Sequence, residues 1–223
     1  MLAVELHTHS IHSYDGHDSV EQLLDAARAS SLDAIAVTDH DDFSAGRRAA
    51  ELSSEELLVI PGMEVSSAAG HVLGLGIDRA IERGLPFRKT VERIHDAEGI
   101  AVVPHPFQEL RKGVLGAIPK TEIKAADAIE VYNSRLFTGR ANRQADSLAD
   151  EYGMTKTAGS DAHIAEMVGR AQTLVETDDR SVDGILTAIR NGNTTVQGRR
   201  TPYRITLRQV AGSATRRARH QFF

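Results

Sequence analysis

Short, continuous apolar runs alternate with amphipathic segments along almost the whole chain, and this alternation limits the fold more than any other feature. Each run predicts a β-strand. The runs are LAVEL, DAIAVTDH, LLVIPGMEVS, HVLGLGI, IAVVPHP, AIEVYN, TKTAGSDAH, AQTLVET and NTTVQG. Apolar runs of this kind, separated by helices, are typical of a parallel sheet that is covered on its faces. The sequence therefore predicts an α/β fold, either a doubly wound open sheet or a closed barrel.

Five of the intervening segments carry helix signals. Ser19 is a candidate N-cap, with Gln22 three residues later as its capping-box partner. Gly99 is expected to end the third helix, and Ser181 to start the fifth. No internal repeat or linker divides the chain, so one domain is expected. From about Arg199 the character changes to seven arginines without an acidic residue, which predicts a basic C-terminal tail, partly helical and partly disordered.

Composition excludes several classes of protein and of site. The 223 residues carry a net charge of -5, which gives no general attraction to nucleic acid or to an anionic membrane. The chain has no cysteine, so a metal would have to be held by His, Asp and Glu. The N-terminus lacks the features of a signal peptide, and no apolar run approaches the roughly 18 residues of a membrane span. We expect a cytoplasmic protein.

Ligand-type side chains follow one predicted strand after another, at the point where each strand ends. They are His7, His9, Asp39, His40, Glu64, His105, Asn133, Asp161 and His163. In a barrel or an open α/β sheet, the carboxyl ends of the strands share one face, where active sites are built. The pattern predicts a site for two or three divalent metal ions on that face, because imidazole and carboxylate groups are suitable ligands for them.

Each of these short motifs is weak by itself. A single His-x-His pair is often unrelated to metal, and Asp and Ser in loops commonly cap helices. Three further histidines, His12, His95 and His220, are expected to be ordinary loop or surface residues. His17 stays undecided because it lies close to Asp15. The prediction depends on five strand ends that all supply ligand-type side chains.

Five segments, taken in order, resemble the motifs of the polymerase and histidinol phosphatase (PHP) family of metal-dependent phosphoesterases. They are HTHSIHSYDG, VTDHD, GMEVS, VVPHPF and GSDAH, and the resemblance spans roughly residues 1–200. The remaining residues, 201–223, would form the basic tail. The resemblance implies a distorted, TIM-like (β/α) barrel of seven strands that binds two or three ions of zinc, manganese or iron.

The resemblance also implies a set of ligands. One metal would be bound by His7, His9, Glu64 and Asp161, a second by Glu64 and His105, and a third by Asp15, His40 and His163. Glu64 would bridge the first two metals. Asn133 stands where several members of the family have a histidine, and its amide oxygen is a poorer ligand for zinc, which makes it a weak metal ligand at most.

The implied reaction is hydrolysis of a phosphate ester by a metal-activated hydroxide. Asp161 and His163 are the candidates for assisting proton transfer. The candidates for contacts with the substrate phosphate are Arg135 and Arg170, because of their bidentate guanidinium groups, and His71, which follows the glutamate strand. For His71, a purely structural role at the start of a strand is an equal alternative.

The sequence is compatible with three functions. The first is a stand-alone phosphatase that acts on a small phosphorylated metabolite or nucleotide, since no polymerase segment is attached. The second is a nuclease for short oligonucleotides, in which the arginine-rich tail would bind phosphates. The third is a non-catalytic, metal-stabilised subunit that binds nucleic acid. This last function would predict the loss of several ligands, yet eight of the nine positions keep strong ligand types.

Overall fold

The structure of the protein, a computed structural model, describes residues 1–108, 112–135 and 139–209, and nine strands within them form one sheet. The strands are β1 (Leu2–Glu5), β2 (Ala34–Val37), β3 (Leu58–Ser66), β4 (His71–Leu75), β5 (Ile100–Val103), β6 (Ala128–Asn133), β7 (Thr155–Gly159), β8 (Ala171–Val175) and β9 (Thr194–Gly198). All nine apolar runs that predicted strands are strands. The helices are α1 (Val20–Ala29), α2 (Ser44–Ala50), α3 (Phe87–Asp96), α4 (Arg140–Tyr152) and α5 (Val182–Arg190).

The sheet curls into a nearly closed barrel. Its strand order is β7-β6-β5-β4-β3-β2-β1-β8-β9. The two ends approach each other where the Ala158 N–H of β7 donates to Thr173 Oγ1 of β8, at 2.9 Å. A second contact runs from Thr194 Oγ1 of β9 to the Lys156 carbonyl of β7, at 2.7 Å. The α/β barrel expected from the family resemblance is therefore confirmed.

The number and direction of the strands differ from expectation, because the sheet has nine strands rather than seven and is mixed rather than parallel. Residues 67–70 join β3 to β4, a connection too short for a helical crossover, so the pair is an antiparallel hairpin with Ser66 opposite His71. The pairs β4–β5, β1–β8 and β8–β9 are also antiparallel. The chain thus adds strands by antiparallel pairing as well as by helical crossovers.

The helix signals are confirmed at most positions. Ser19 caps α1, and the reciprocal bonds of a capping box with Gln22 are both present. Ser181 caps α5. The expected end at Gly99 was wrong, since α3 ends at Asp96 and Glu98, not Gly99, has the left-handed backbone (φ 64°). Gly99 is instead needed for close packing, as a Cβ there would lie 2.5 Å from Ile77 Cγ2.

An apolar core fills the end of the barrel at which the parallel strands begin. Ile185 and Ile189 of α5 belong to one buried cluster with Val4, Ala34 and Ile100, which face them from three strands. This cluster closes the amino-terminal end of the barrel. The polar side chains that follow the strands lie at the opposite, carboxyl end.

The C-terminal tail begins by packing on the barrel. Residues 203–209 are helical, Ile205 is buried in the core cluster of α1, and Thr201 Oγ1 lies 2.9 Å from Ser134 Oγ. Residues 210–223, and with them most of the predicted tail and His220, lie outside the described residues. Within the described ranges, no helix has the length and apolarity that would be needed to cross a bilayer.

Helix α2 packs closely on the sheet at Gly46. A Cβ at this position would lie 2.3 Å from the Gly62 carbonyl oxygen and 2.9 Å from that of Val37, so helix and strands would have to separate. Although alanine favours a helix by about 1 kcal/mol over glycine, we expect Gly46→Ala to lower the free energy of unfolding by about 2 kcal/mol, as overpacking does. Urea denaturation measures this. Ser44→Ala, on the exposed side of α2, is the control; equal stabilities would contradict the packing.

Candidate metal centre

Backbone pairing beyond the ends of the strands brings the predicted ligands together. The His9 N–H donates to the Ala162 carbonyl at 2.8 Å, and Thr8 forms a parallel bridge with Ala162. The segment after β1 therefore lies beside the segment after β7. His40 and Glu64 form a second parallel bridge, which places the loop after β2 beside β3. These two bridges assemble the cluster from residues that are far apart in sequence.

The carboxylate of Glu64 lies at the centre of the cluster and is 1% exposed. Its two oxygens face different sets of imidazole nitrogens. Oε1 lies 2.9 Å from His71 Nδ1 and 3.3 Å from His105 Nε2. Oε2 lies 2.9 Å from His40 Nδ1, 3.3 Å from His9 Nε2 and 3.5 Å from His7 Nε2. One carboxylate thus faces nitrogens on both sides, the arrangement that a bridging ligand requires.

Asp161 adds a second carboxylate beside His7 and His9. Its Oδ1 lies 3.9 Å from His7 Nε2 and 3.7 Å from His9 Nε2, while the two imidazole nitrogens are 3.1 Å apart. His7, His9 and Asp161 offer ligand atoms that lie within 4.8 Å of one another, as a shared metal ion would need. The structure thereby brings together three residues from the first of the three predicted ligand sets.

Asp15 connects the remaining two predicted histidines. Its Oδ2 lies 3.1 Å from His163 Nε2, and its Oδ1 lies 3.7 Å from His40 Nε2. All three side chains are nearly or fully buried. In the part of the chain that the structure describes, four overlapping groups of three could hold a metal, namely His9/His40/His163, His7/His9/Asp161, His7/Glu64/His105 and His40/Glu64/His71. His71 therefore lies inside the cluster rather than merely at the start of a strand.

The donor atoms of the cluster fit divalent metal ions. Among the described residues, neither oxygen of Glu64 has a hydrogen bond of suitable geometry, and the same holds for His40 Nδ1, His105 Nδ1 and both ring nitrogens of His71. Buried polar atoms normally have partners, because an unpaired buried group costs about 1–3 kcal/mol. Coordination to a metal would satisfy these lone pairs. Imidazole and carboxylate ligands without thiolate suit zinc, manganese or iron.

The electrostatics of the cluster favour charged carboxylates, and its imidazoles divide into two groups. In spite of burial, Glu64 and the other nearby carboxylates raise the pKa of His7 and that of His40. Burial opposes the ionised form of Glu64, but His71, His40 and His7 outweigh it and hold the pKa of its carboxyl well below the usual range. Burial, together with the neighbouring His163 and His40, lowers the pKa of His9. Burial and Arg135 likewise lower the pKa of His163. A neutral imidazole keeps the lone pair that binds a metal.

Two residues of the cluster have backbones in the left-handed region, which favours glycine. His105 has a φ of 31° and Asp161 a φ of 52°. Such conformations cost of the order of 1–3 kcal/mol for residues other than glycine, and they occur preferentially at functional sites. With these backbone conformations, the His105 side chain faces Glu64 and the Asp161 side chain faces the His7/His9 pair.

Three buried carboxylates support the cluster from behind, and sequence reasoning did not assign them this role. Glu130 lies 3.1 Å from His7 Nδ1 and accepts a hydrogen bond from the His105 N–H at 2.9 Å. Asp39 accepts from the hydroxyls of Ser10 and Ser13, at 2.6 Å each. Burial raises the pKa of Glu5 to about 7. The available signal was an acidic residue within an apolar run, as in LAVEL and AIEVYN.

Asn133 and Arg135 are both at the cluster. Asn133 Nδ2 donates to Glu130 at 2.9 Å and to Asp161 at 3.4 Å, while its Oδ1 accepts from the Arg135 N–H. Arg135 Nη1 donates to Asp161 Oδ1 at 3.1 Å and lies 3.1 Å from His163 Nδ1. Arg170 is half-buried further out, with its Nε directed at the Glu166 carbonyl.

The histidines that were expected to be ordinary lie outside the cluster. His12 is exposed and lies 3.7 Å from Asp42. His95 is 2.8 Å from Asp127 on another part of the surface. The His17 N–H donates to the His163 carbonyl, so its backbone borders the site. Tyr14, which the sequence did not single out, is 39% exposed and stacks on the His40 ring at 4.9 Å between centroids.

Two family profiles match the chain. The PHP domain matches residues 5–98, and a PHP-associated region matches residues 139–194. The chain belongs to the PHP family. The first PHP match contains six residues of the cluster, and the second contains Asp161 and His163; His105, Asn133 and Arg135 fall between the two matches. The six are His7, His9, Asp15, His40, Glu64 and His71.

Two curated relatives share part of this PHP chain. An uncharacterized protein of Methanocaldococcus jannaschii is 28% identical over 152 residues, which are 63% of this chain and 87% of the relative. A phosphoribosyl 1,2-cyclic phosphate 1,2-diphosphodiesterase of Eggerthella lenta is 38% identical over 104 residues, which are 41% of this chain and 37% of the relative.

Solved structures share the fold of this PHP chain at low identity. A two-domain protein of Bacteroides vulgatus, which contains a predicted PHP-like metal-dependent phosphoesterase, superposes with a TM-score of 0.75 at 19% identity. The superposition covers 95% of this chain and 69% of the Bacteroides vulgatus chain. The lesion-specific endonuclease Q of Pyrococcus furiosus superposes with a TM-score of 0.65 at 15% identity, over 87% of this chain and 57% of its own.

His9 and His12 are three residues apart, yet they differ in whether they face the cluster. We expect saturating manganese or zinc to raise the melting temperature of the wild-type protein, because a ligand at about 100 times its Kd stabilises by about 2.7 kcal/mol. His9→Ala should abolish most of this shift and lower the bound metal, whereas His12→Ala should keep both. Thermal unfolding with elemental analysis measures the effect. Equal shifts in the two variants would contradict the placement of His9.

Proposed function

We propose that the protein is a metal-dependent phosphoesterase that releases phosphate from an ester of a small metabolite or a nucleotide. Two or three divalent ions would be held by eight residues, which are His7, His9, Asp15, His40, Glu64, His105, Asp161 and His163. The single observation that carries the proposal is the position of Glu64, because each of its two oxygens faces a different set of imidazole nitrogens. A carboxylate that joins two metals suits phosphoryl transfer.

Divalent ions at this cluster would supply a nucleophile near neutral pH, by lowering the pKa of a coordinated water, and positive charge for the phosphoryl oxygens. The residues of the chain orient this chemistry. Glu130, at 3.1 Å from His7 Nδ1, fixes the His7 ring so that Nε2 faces the centre of the cluster. Asn133 restrains Asp161 from the other side. We propose a supporting role for Asn133, since its amide atoms are already used in hydrogen bonds.

Arg135 is the residue best placed to contact a substrate phosphate. Its Nη1 lies beside Asp161 and His163. A phosphoryl group could take two parallel hydrogen bonds from this guanidinium in exchange for its contacts with Asp161 and Gln209. Asp161 and His163 are the candidates for proton transfer, because their side chains lie 3.3 Å apart and both are next to Arg135 Nη1. His71 Nδ1 lies 2.9 Å from Glu64 Oε1, and its ring is next to that of His40, where it could contact the phosphate or a metal.

The name of the Eggerthella lenta relative supports a phosphate ester as the substrate class, since that protein acts on a cyclic phosphate of a sugar. The test is a substrate screen of the metal-loaded protein with mononucleotides, bisphosphorylated nucleotides, histidinol phosphate and a short single-stranded oligonucleotide. We expect release of phosphate from at least one small ester, and loss of that release with a chelator or in the Asp161→Asn variant.

The screen also separates the rival functions. Cleavage of the oligonucleotide without turnover of a small ester would establish the nuclease, a function favoured by the fold shared with endonuclease Q. Bound metal with no hydrolysis of any probe would contradict the phosphoesterase and favour the non-catalytic subunit that binds nucleic acid. His12→Ala, which changes an exposed histidine outside the cluster, is the matched control for activity.

A further inference from the structure

A group of arginines lies at the carboxyl end of the barrel, on the same face as the metal centre, which we call the catalytic face. The chain as a whole has a net charge of -5. β8 runs antiparallel to β1, with Leu2 opposite Val175 and Val4 opposite Thr173, so β8 begins at the end where β1 finishes. β9 is antiparallel to β8, with Gly198 opposite Ala171. Arg170, just before β8, and Arg199, just after β9, therefore both lie at the carboxyl end of β1.

Hydrogen bonds to Glu5 connect the segment of Arg170 and Arg199, the arginine edge, to the metal centre. The carboxylate of Glu5 accepts from the N–H of His7 at 3.3 Å and from the N–H of Gly169 at 3.2 Å. Gly169, the residue before Arg170, and His7 of the cluster therefore donate to the same carboxylate. The Arg199 N–H donates to the Arg170 carbonyl at 2.7 Å, so the two arginines are adjacent.

The segment that carries the other arginines is anchored beside Arg135. The Thr201 N–H donates to the Ser134 carbonyl at 2.8 Å. Eight residues later, Gln209 Oε1 accepts from Arg135 Nη2 at 3.0 Å. The helical residues 203–209 therefore lie between the arginine edge and the residue best placed to contact the substrate.

Not all of the arginines at this edge are committed to protein partners. Arg208 pairs with Glu166, and Arg200 stacks on the Tyr203 ring at 4.5 Å. Arg199 and Arg204 are exposed, and within the described residues their side chains have no hydrogen-bond or ion-pair partner. Burial lowers the pKa of Arg170, and the neighbouring charges of Arg199 and Arg204 lower it further, as expected where like charges meet.

We propose that Arg170, Arg199 and Arg204 form a second anion site at the rim of the catalytic face, which binds a phosphate group of the substrate other than the one that is hydrolysed. The inference rests on the proposed phosphoesterase function and extends it. The ligand chemistry is a second phosphate, which either a bisphosphorylated small molecule or the next nucleotide of a short chain could supply. The exposed guanidinium groups of Arg199 and Arg204 are well suited to bind it. Arg170, whose Nε donates to the Glu166 carbonyl, would contribute its remaining N–H groups.

The test compares substrates with one and with two phosphates. The probes are adenosine 5′-monophosphate, adenosine 3′,5′-bisphosphate and a 5′-phosphorylated dinucleotide, each used with the metal-loaded full chain. For Arg199→Gln/Arg204→Gln, we expect the preference in 1/KM for a two-phosphate probe over the monophosphate to fall about tenfold, since each lost phosphate contact weakens binding several-fold. Arg199→Lys/Arg204→Lys should recover part of that preference.

The matched control is Arg28→Gln/Arg93→Gln, which removes the same charge from the last turns of α1 and α3. An unchanged preference in Arg199→Gln/Arg204→Gln, or an equal loss in the control, would overturn the inference. A greater loss with the dinucleotide than with the bisphosphate would support it and assign the second phosphate to a nucleotide chain; the reverse would support it for a small bisphosphate.

If no probe is hydrolysed, the proposed function fails, and the inference is then judged separately. The same comparison is made on dissociation constants from calorimetry, with the same probes and variants. Tighter binding of the two-phosphate probes by the wild type than by Arg199→Gln/Arg204→Gln would keep the anion site. Equal binding would overturn it.

Discussion

The burial of the Glu64 carboxylate among five imidazole rings is the constraint on which the candidate metal centre depends. A charged carboxylate out of contact with water is costly unless compensating charges or ligands surround it. The fold supplies five imidazoles from four segments, since His7 and His9 follow β1, His40 follows β2, His71 begins β4 and His105 follows β5. The apolar cluster that contains Ile185 and Ile189 of α5 lies at the other end of the barrel.

Three further carboxylates, those of Glu5, Asp39 and Glu130, accept hydrogen bonds from backbone N–H groups where the strands of the barrel diverge. Where strands separate, their backbone N–H groups lose sheet partners, and buried donors without partners are destabilising. Glu5 accepts from the N–H groups of His7, Ser160 and Gly169, and so joins the segments after β1 and β7 to the start of β8. Asp39 and Glu130 do the same for the loops after β1 and β5. The acids that support the cluster also hold the loops that present it.

The elements and the cluster could be predicted from the sequence to a large extent, because both follow from local patterns. Apolar runs identified the strands, and the polar residues after them identified the shared face. Strand direction was less accessible, as the hairpin at residues 67–70 depends on a turn that the apolar pattern does not encode. Glu130 could not be assigned because its role depends on contacts with His7 and His105, which are distant in sequence. The left-handed backbones of His105 and Asp161 likewise result from tertiary contacts.

Anomalous X-ray diffraction from crystals grown with manganese tests most directly whether Glu64 joins two metal ions, as we propose. We expect at least two anomalous peaks about 3.5–4 Å apart, the spacing of two-metal sites, with the Glu64 carboxylate between them. A single peak that Glu64 does not contact would contradict this role of Glu64, as would two peaks with no carboxylate between them.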